Sequence, residues 1–215
     1  MFDLILFDLD GTLTDPKEGI TNCVKYALES FGINETDENV LMRFIGPPLV
    51  DSFKAIYGMT DSEAHIALNK YRERFSEIGI FENSLLEGAK EILEELRNSG
   101  KRIALATSKP YVYAEKILEK YDIAKYFDCA VGSELDGTRN YKDEVILEVL
   151  KRTGEDDLSR VVMVGDRKHD IIGAEKCKIA SIGLRCGYAE EGELADAGAD
   201  YIFENLHDLK EFLMK

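Results

Sequence analysis

The apolar run Leu4-Ile5-Leu6-Phe7 stops at an acid, Asp8, and a short aliphatic stretch with no helical spacing predicts a strand buried on both faces. The pattern then turns helical. Asp15-Pro16-Lys17-Glu18 supplies a capping acid, a proline at the first helical position and an acid at the third, and Ile20, Val24, Ala27, Leu28 and Phe31 recur at helical spacing until Gly32. A second helix fits Thr36 to Phe44 and must end at Ile45-Gly46-Pro47-Pro48. A third runs from about Pro48 to Tyr57 with Gly58 behind it. Thr60-Asp61-Ser62-Glu63 opens a fourth, with Ala64, Ala67, Leu68, Tyr71, Phe75 and Ile78 as its apolar face and Gly79 as its end.

From Glu87 onward strand and helix alternate. Helices are predicted at Gly88 to Ser99, Tyr111 to Tyr121, Lys142 to Thr153, Asp170 to Lys178 and from Leu206 onward. Strands are predicted at Arg102 to Ala106, Asp128 to Val131, Val161 to Val164, Ala180 to Leu184 and Tyr201 to Phe203. This rhythm predicts an α/β fold, a Rossmann-like parallel sheet with helices on both faces. Four consecutive helices cannot be layered between neighbouring parallel strands. Residues 16–85 are therefore expected to form an inserted helical domain, and residues 1–15 with 86–215 the α/β core.

Composition narrows the function. A chain of 215 residues that is 45% hydrophobic and 32% charged can bury a core and is not disordered. No apolar run approaches the roughly 20 residues of a membrane span, and the N-terminus enters a strand directly, so a soluble cytoplasmic protein is expected. The net charge of −15 argues against nucleic-acid binding and repels anionic substrates at long range. A phosphate site would have to supply positive charge locally. Cys23, Cys129, Cys177 and Cys186 show no metal-ligand spacing and read as reduced packing residues. Oligomeric state, monomer or dimer, is left open.

In a parallel sheet the carboxyl ends of the strands share one edge, so their residues converge there. The first strand delivers Asp8 and Asp10, the second Thr107-Ser108-Lys109, the third Gly132-Ser133-Glu134 and the fourth Gly165-Asp166 with Asp170 close behind. Lys142 opens the helix after the third strand. Such a set suits phosphoryl transfer. Mg2+ prefers a few carboxylate oxygens, which Asp8, Asp166 and Asp170 could provide, while Lys142, Thr107 or Ser108 and backbone amides meet phosphate charge. Asp170 is also placed to cap the helix it precedes. One aspartate could attack phosphorus while its neighbour moves protons.

These motifs, spread over nearly the whole chain, resemble the haloacid dehalogenase (HAD) superfamily in its phosphatase branch with a helical cap. The D-x-D-G-T signature falls on Asp8 to Thr12, the strand-end hydroxyl on Thr107, the lysine on Lys142 and the G-D-x-x-x-D motif on Gly165, Asp166 and Asp170. The resemblance implies that Asp8 is the nucleophile and Asp10 the general acid and base. It implies that Asp8, the Asp10 backbone carbonyl and Asp166 hold Mg2+, with Asp170 as a further ligand, direct or through water. Thr107 and Lys142 would bind the phosphoryl group, assisted by Ser108 and Gly11, and Lys142 would tether Asp8. Arg43 and Gly46 correspond to the cap loop that relatives use to select substrates. The acid at Asp10 argues against dehalogenases and ion pumps.

Phe44-Ile45-Gly46-Pro47-Pro48 and Gly132-Ser133-Glu134-Leu135-Asp136-Gly137 look most like phosphoglycolate phosphatases and 5′-nucleotidase-like members. The expected function is thus a Mg2+-dependent phosphatase of a small phosphorylated metabolite, with a β-phosphoglucomutase-like mutase or a phosphate-binding module without turnover as alternatives. Two departures stand out. No proline follows Lys142, so Arg139 or Lys109 could share its role, and Lys109 stands where many relatives carry asparagine. His65, His169 and His207 read as surface residues.

Overall fold

The computed structural model describes residues 2–215. In chain order its elements are β1 (Leu4–Phe7), β2 (Thr14–Asp15), α1 (Lys17–Glu29), α2 (Glu38–Met42), α3 (Leu49–Tyr57), α4 (Asp61–Phe75) and β3 (Ser84–Leu85). There follow α5 (Ala89–Asn98), β4 (Arg102–Pro110), α6 (Tyr111–Lys120), β5 (Cys129–Ser133), α7 (Lys142–Thr153) and β6 (Val161–Gly165). The chain closes with α8 (Lys168–Cys177), β7 (Ala180–Leu184), α9 (Glu193–Asp196), β8 (Tyr201–Phe203) and α10 (Leu206–Leu213). It divides into two compact units, residues 1–15 with 85–215 and residues 16–84.

The first unit is built on a six-stranded sheet in the order β5-β4-β1-β6-β7-β8, with every neighbouring pair parallel. β1 lies between β4 and β6, in register from Leu4 opposite Arg102 and Val161 to Phe7 opposite Leu105 and Val164. All four of its residues are fully buried, which explains why the run is apolar at every position and not at alternate ones. Leu4, Leu6, Ala104, Ala106, Val161 and Met163 face one way, against Val145, Ile146 and Val149 of α7 and Ala174 and Cys177 of α8. Period-two alternation turns Ile5, Phe7, Ile103 and Leu105 to the other face. The strand order changes direction between β4 and β6, with β1 at the reversal, so its carboxyl end opens at the switch point where such sheets take their ligands.

The second unit is helical. α4 packs on α1 and α3, burying Ala64, Ala67, Tyr71 and Phe75 along one face. Phe44 and Phe53 meet edge to face at 4.9 Å, and Tyr71 stacks on Phe75 at 5.2 Å. The Thr60–Glu63 capping box forms as its sequence predicts, and Gly58 ends α3 in the left-handed conformation. Arg74 grips Glu82 with two bonds of 2.7 and 2.9 Å.

Several local expectations are corrected. α1 starts at Lys17 with Pro16 at its cap position and no side-chain cap, because Asp15 turns its carboxylate to the Tyr188 hydroxyl. α2 is shorter than its spacing suggests, since Asp37 caps it by accepting from the Asn39 amide. Ile78 lies beyond α4 and is exposed. β4 runs on to Pro110 through a shift in register, and α9 carries too little apolar periodicity to be foreseen. No helix among the described residues is long and apolar enough to cross a membrane.

Candidate active site

Asp8 is fixed by the sheet itself. Its amide donates to the Val164 carbonyl at 2.9 Å, continuing the ladder between β1 and β6 one residue past the strand. The chain then doubles back, with the amides of Leu13 and Thr14 both donating to the Leu9 carbonyl at 2.9 Å. Gly11 takes a φ of +83° in this turn, and a Cβ there would lie 2.2 Å from Asp166 Oδ2. Only glycine meets both demands. Asp166, one residue past β6, accepts from Thr12 Oγ1 at 3.2 Å and from the Tyr188 amide at 2.7 Å. A Cβ at Gly165 would strike Asp170 Cγ at 2.0 Å, so this glycine is what lets the first turn of α8 fold back on the strand end.

Asp8, Asp166 and Asp170 each offer a carboxylate oxygen within 4.8 Å of the others, and all three are buried. Lys142, at the first position of α7, reaches in from the side. Its Nζ lies 2.9 Å from Asp8 Oδ1 and 2.8 Å from Asp170 Oδ1, and it donates to the Ala106 carbonyl at 3.0 Å. Both carboxylate oxygens are shut off from solvent, with Lys142 beside them. Lys109 Nζ lies 2.6 Å from Asp10 Oδ2. Four buried carboxyl groups thus share two buried ammonium groups.

Burial and the crowding of carboxyl groups set the electrostatics of the site. Burial, then Asp170 and Asp8, push the Asp166 carboxyl well above the ordinary carboxylate range. Asp170 also rises although Lys142 is beside it, because burial and Asp8 outweigh the lysine. Burial works against the charge on Lys142, yet Asp170 and Asp8 hold it above its usual value. Burial raises Asp10 too, with Lys109 opposing. A divalent cation fits these residues: three buried carboxylates converge within 4.8 Å of one another, and the ion would favour the charged form of the Asp166 and Asp170 carboxyls, which burial opposes.

The family model of haloacid dehalogenase-like hydrolases matches residues 5–184. The chain belongs to that family. Among its relatives, a 5′-nucleotidase from Pseudomonas aeruginosa is 43% identical over 97% of this chain and 94% of its own. A phosphoglycolate phosphatase from Vibrio parahaemolyticus is 29% identical, again over 97% of this chain and 94% of its own. The crystal structure of a "predicted phosphatase" from Clostridium acetobutylicum superposes with a TM-score of 0.95 at 41% identity, covering 100% of this chain and 99% of that one.

In this haloacid dehalogenase-like hydrolase the other candidate residues separate. Thr107 is buried at the same edge, its hydroxyl accepting from the Lys109 amide at 3.2 Å. Ser108 is half-buried and gives its carbonyl to Ser133 Oγ at 2.8 Å. Arg139 turns away to Glu134 and the Gly132 carbonyl, so it does not join Lys142. Lys109 goes to Asp10. Asp170 caps α8 with Oδ2, which accepts from the Arg167 amide at 3.1 Å, while Oδ1 faces Lys142, so the capping and cluster positions coincide. Arg43 is exposed at the end of α2, and Gly46 takes a φ of +105° in the turn that follows, both within the helical unit. His65 and His207 are exposed, whereas His169 is half-buried, and burial lowers its ring below its usual value.

Sequence reasoning missed Tyr188. Its amide braces Asp166 and its hydroxyl donates to Asp15, and burial together with that bond holds the phenol above its usual range. The only trace in the sequence is the glycine before it, in a loop after β7 with no charged motif.

Proposed function

We propose that the chain is a cytoplasmic, Mg2+-dependent phosphomonoester phosphatase that acts on a small phosphorylated metabolite through an aspartyl-phosphate on Asp8. The observation that carries this reading is the division of labour among the carboxylates. Asp8, a member of the acidic cluster, is held by Lys142, and Asp10, two residues on, has a separate cation of its own.

An Asp8 carboxylate oxygen attacks phosphorus, and the bond to the ester oxygen breaks as Asp10 gives that oxygen a proton, releasing the alcohol. Asp10, now ionised, takes a proton from water as the water oxygen attacks phosphorus. Inorganic phosphate leaves and the Asp8 carboxylate is restored. Lys142 and Thr107 meet the phosphoryl oxygens, with Ser108 and Gly11 beside them, and Lys142 keeps Asp8 aimed. The residues that would hold Mg2+ are Asp8, the Asp10 carbonyl, Asp166 and Asp170. When bound, the ion neutralises charge on the transferring group.

We read the helical unit as a cap that selects substrate, with Arg43 and Gly46 in the selecting loop. A 5′-nucleotide is the favoured substrate class over phosphoglycolate, because the relative named for nucleotides is 43% identical and the one named for phosphoglycolate 29%. The test is p-nitrophenyl phosphate hydrolysis with and without Mg2+, followed by a panel of 5′-nucleotides and phosphoglycolate. Asp8→Asn is expected to lower Mg2+-dependent turnover by roughly 10⁴-fold or more. Unaltered turnover in that variant would sink the mechanism, and isomerised sugar phosphate in place of free phosphate would make the enzyme a mutase.

A further inference from the structure

Lys109 has no part in the chemistry just described, yet its placement is specific. β4 leaves register with β5 after Ala106: Ala106 pairs with Val131 and Pro110 with Ser133, so four steps along β4 match two along β5. Such a bulge re-aims the side chains it carries. It is pinned by Ser133 Oγ on the Ser108 carbonyl at 2.8 Å and by the Lys109 amide on Thr107 Oγ1 at 3.2 Å. The ammonium is thereby brought to 2.6 Å from Asp10 Oδ2, with the two side chains only 6% and 11% exposed. The second oxygen of Asp10 has a weaker partner, Thr14 Oγ1 at 3.5 Å. Lys142 lies instead against Asp8, Asp170 and the Ala106 carbonyl, so Asp10 and Asp8 each have their own lysine.

We infer that Lys109 is a positioning residue for Asp10: it anchors one carboxyl oxygen so that the other meets the departing ester oxygen, and it does not grip the substrate phosphate. The inference rests on the reading of Asp10 as the proton carrier. A carboxyl on a rotatable side chain transfers a proton efficiently only from a narrow range of orientations, and a buried ammonium at 2.6 Å removes that freedom.

A series of phosphate monoesters tests it, running from p-nitrophenyl phosphate, whose leaving group needs no proton, to glycerol phosphate, whose alkoxide does. The quantity read is kcat/KM, which reports steps up to departure of the alcohol. For Lys109→Met the expected loss is less than about 5-fold with p-nitrophenyl phosphate and roughly 10²-fold or more with glycerol phosphate. Inhibition by inorganic phosphate should change little. An equal loss across the series, with weakened phosphate inhibition, would make Lys109 a phosphate ligand and overturn the inference.

Asp10→Asn on the same series separates this failure from failure of the underlying reading. A flat loss in Asp10→Asn sinks the assignment of Asp10, whereas a steep loss there with a flat one in Lys109→Met sinks only the role of Lys109. Should Lys109→Met not fold, Lys109→Arg keeps the charge but displaces the anchor. A steeper leaving-group dependence at unchanged phosphate inhibition then supports positioning, and an unchanged dependence overturns it.

Discussion

Lys142 is the residue on which the acidic cluster depends. It lies against Asp8 and Asp170 in a place closed to water, so removing it leaves two buried carboxylates without a counter-charge. Breaking a buried pair in this way is costly, because the remaining charge has neither solvent nor partner. Lys142→Met is expected to lose about 3–5 kcal/mol of stability in urea denaturation, together with its phosphatase activity. A variant as stable as the parent would mean that the carboxylates are balanced by something other than this lysine. Lys142 was legible from its position at the head of a helix after the third strand. Its partners were not, because distances between side chains from three separate strand ends are not encoded in any local pattern.

At the scale of elements, periodicity and caps carried most of the fold. α7, β7 and β8 begin and end where their patterns predict, because apolar spacing and a flanking glycine or loop acid are local signals. Elements whose ends answer to distant partners were misjudged: α1, where Asp15 serves Tyr188, and β4, where the bulge carries the strand past Ala106. Within the helical unit, α4 is tied to the segment after it by Arg74 and Glu82. The hydrogen bonds from Arg74 hold the Glu82 carboxyl below its usual range, against a smaller effect of burial. A carboxylate whose folded pKa is depressed stabilises fully above its unfolded value of about 4.3 and loses that contribution as pH falls through the folded value. The melting temperature of Glu82→Gln should therefore fall furthest below the parent near neutral pH. The gap should close toward about pH 3. A gap independent of pH would show that the ion pair contributes nothing. Because the pair is partly exposed, the effect should be modest.

For the whole molecule the decisive quantity is charge. A chain with a net charge of −15 concentrates four buried carboxylates and two lysines at one sheet edge. Burial and neighbouring carboxyls oppose the charge on Asp166 and Asp170, so a divalent cation that binds only the folded form should stabilise it. Mg2+ at about 100 times its dissociation constant is expected to add about 2.7 kcal/mol, read as a rise in melting temperature. Asp166→Asn should abolish the rise. An equal Mg2+ response in that variant would place the ion elsewhere.

The sequence by itself determined the α/β class, the run of helices between the first two strands of the sheet, and the candidate residues Asp8, Asp10, Thr107, Lys142, Asp166 and Asp170. It could do so because strand period, helix caps and glycine turns act over a few residues, and because a parallel sheet sends all its strand ends to one edge. Only the tertiary structure decided which charge answers which: Lys142 to Asp8 and Asp170, Lys109 to Asp10, Arg139 to Glu134, Tyr188 to Asp15 and Asp166. Those pairings depend on a two-residue bulge, on turns tight enough to exclude a Cβ, and on a loop from the far end of the chain. Each is a matter of a few ångströms in space between residues far apart in sequence.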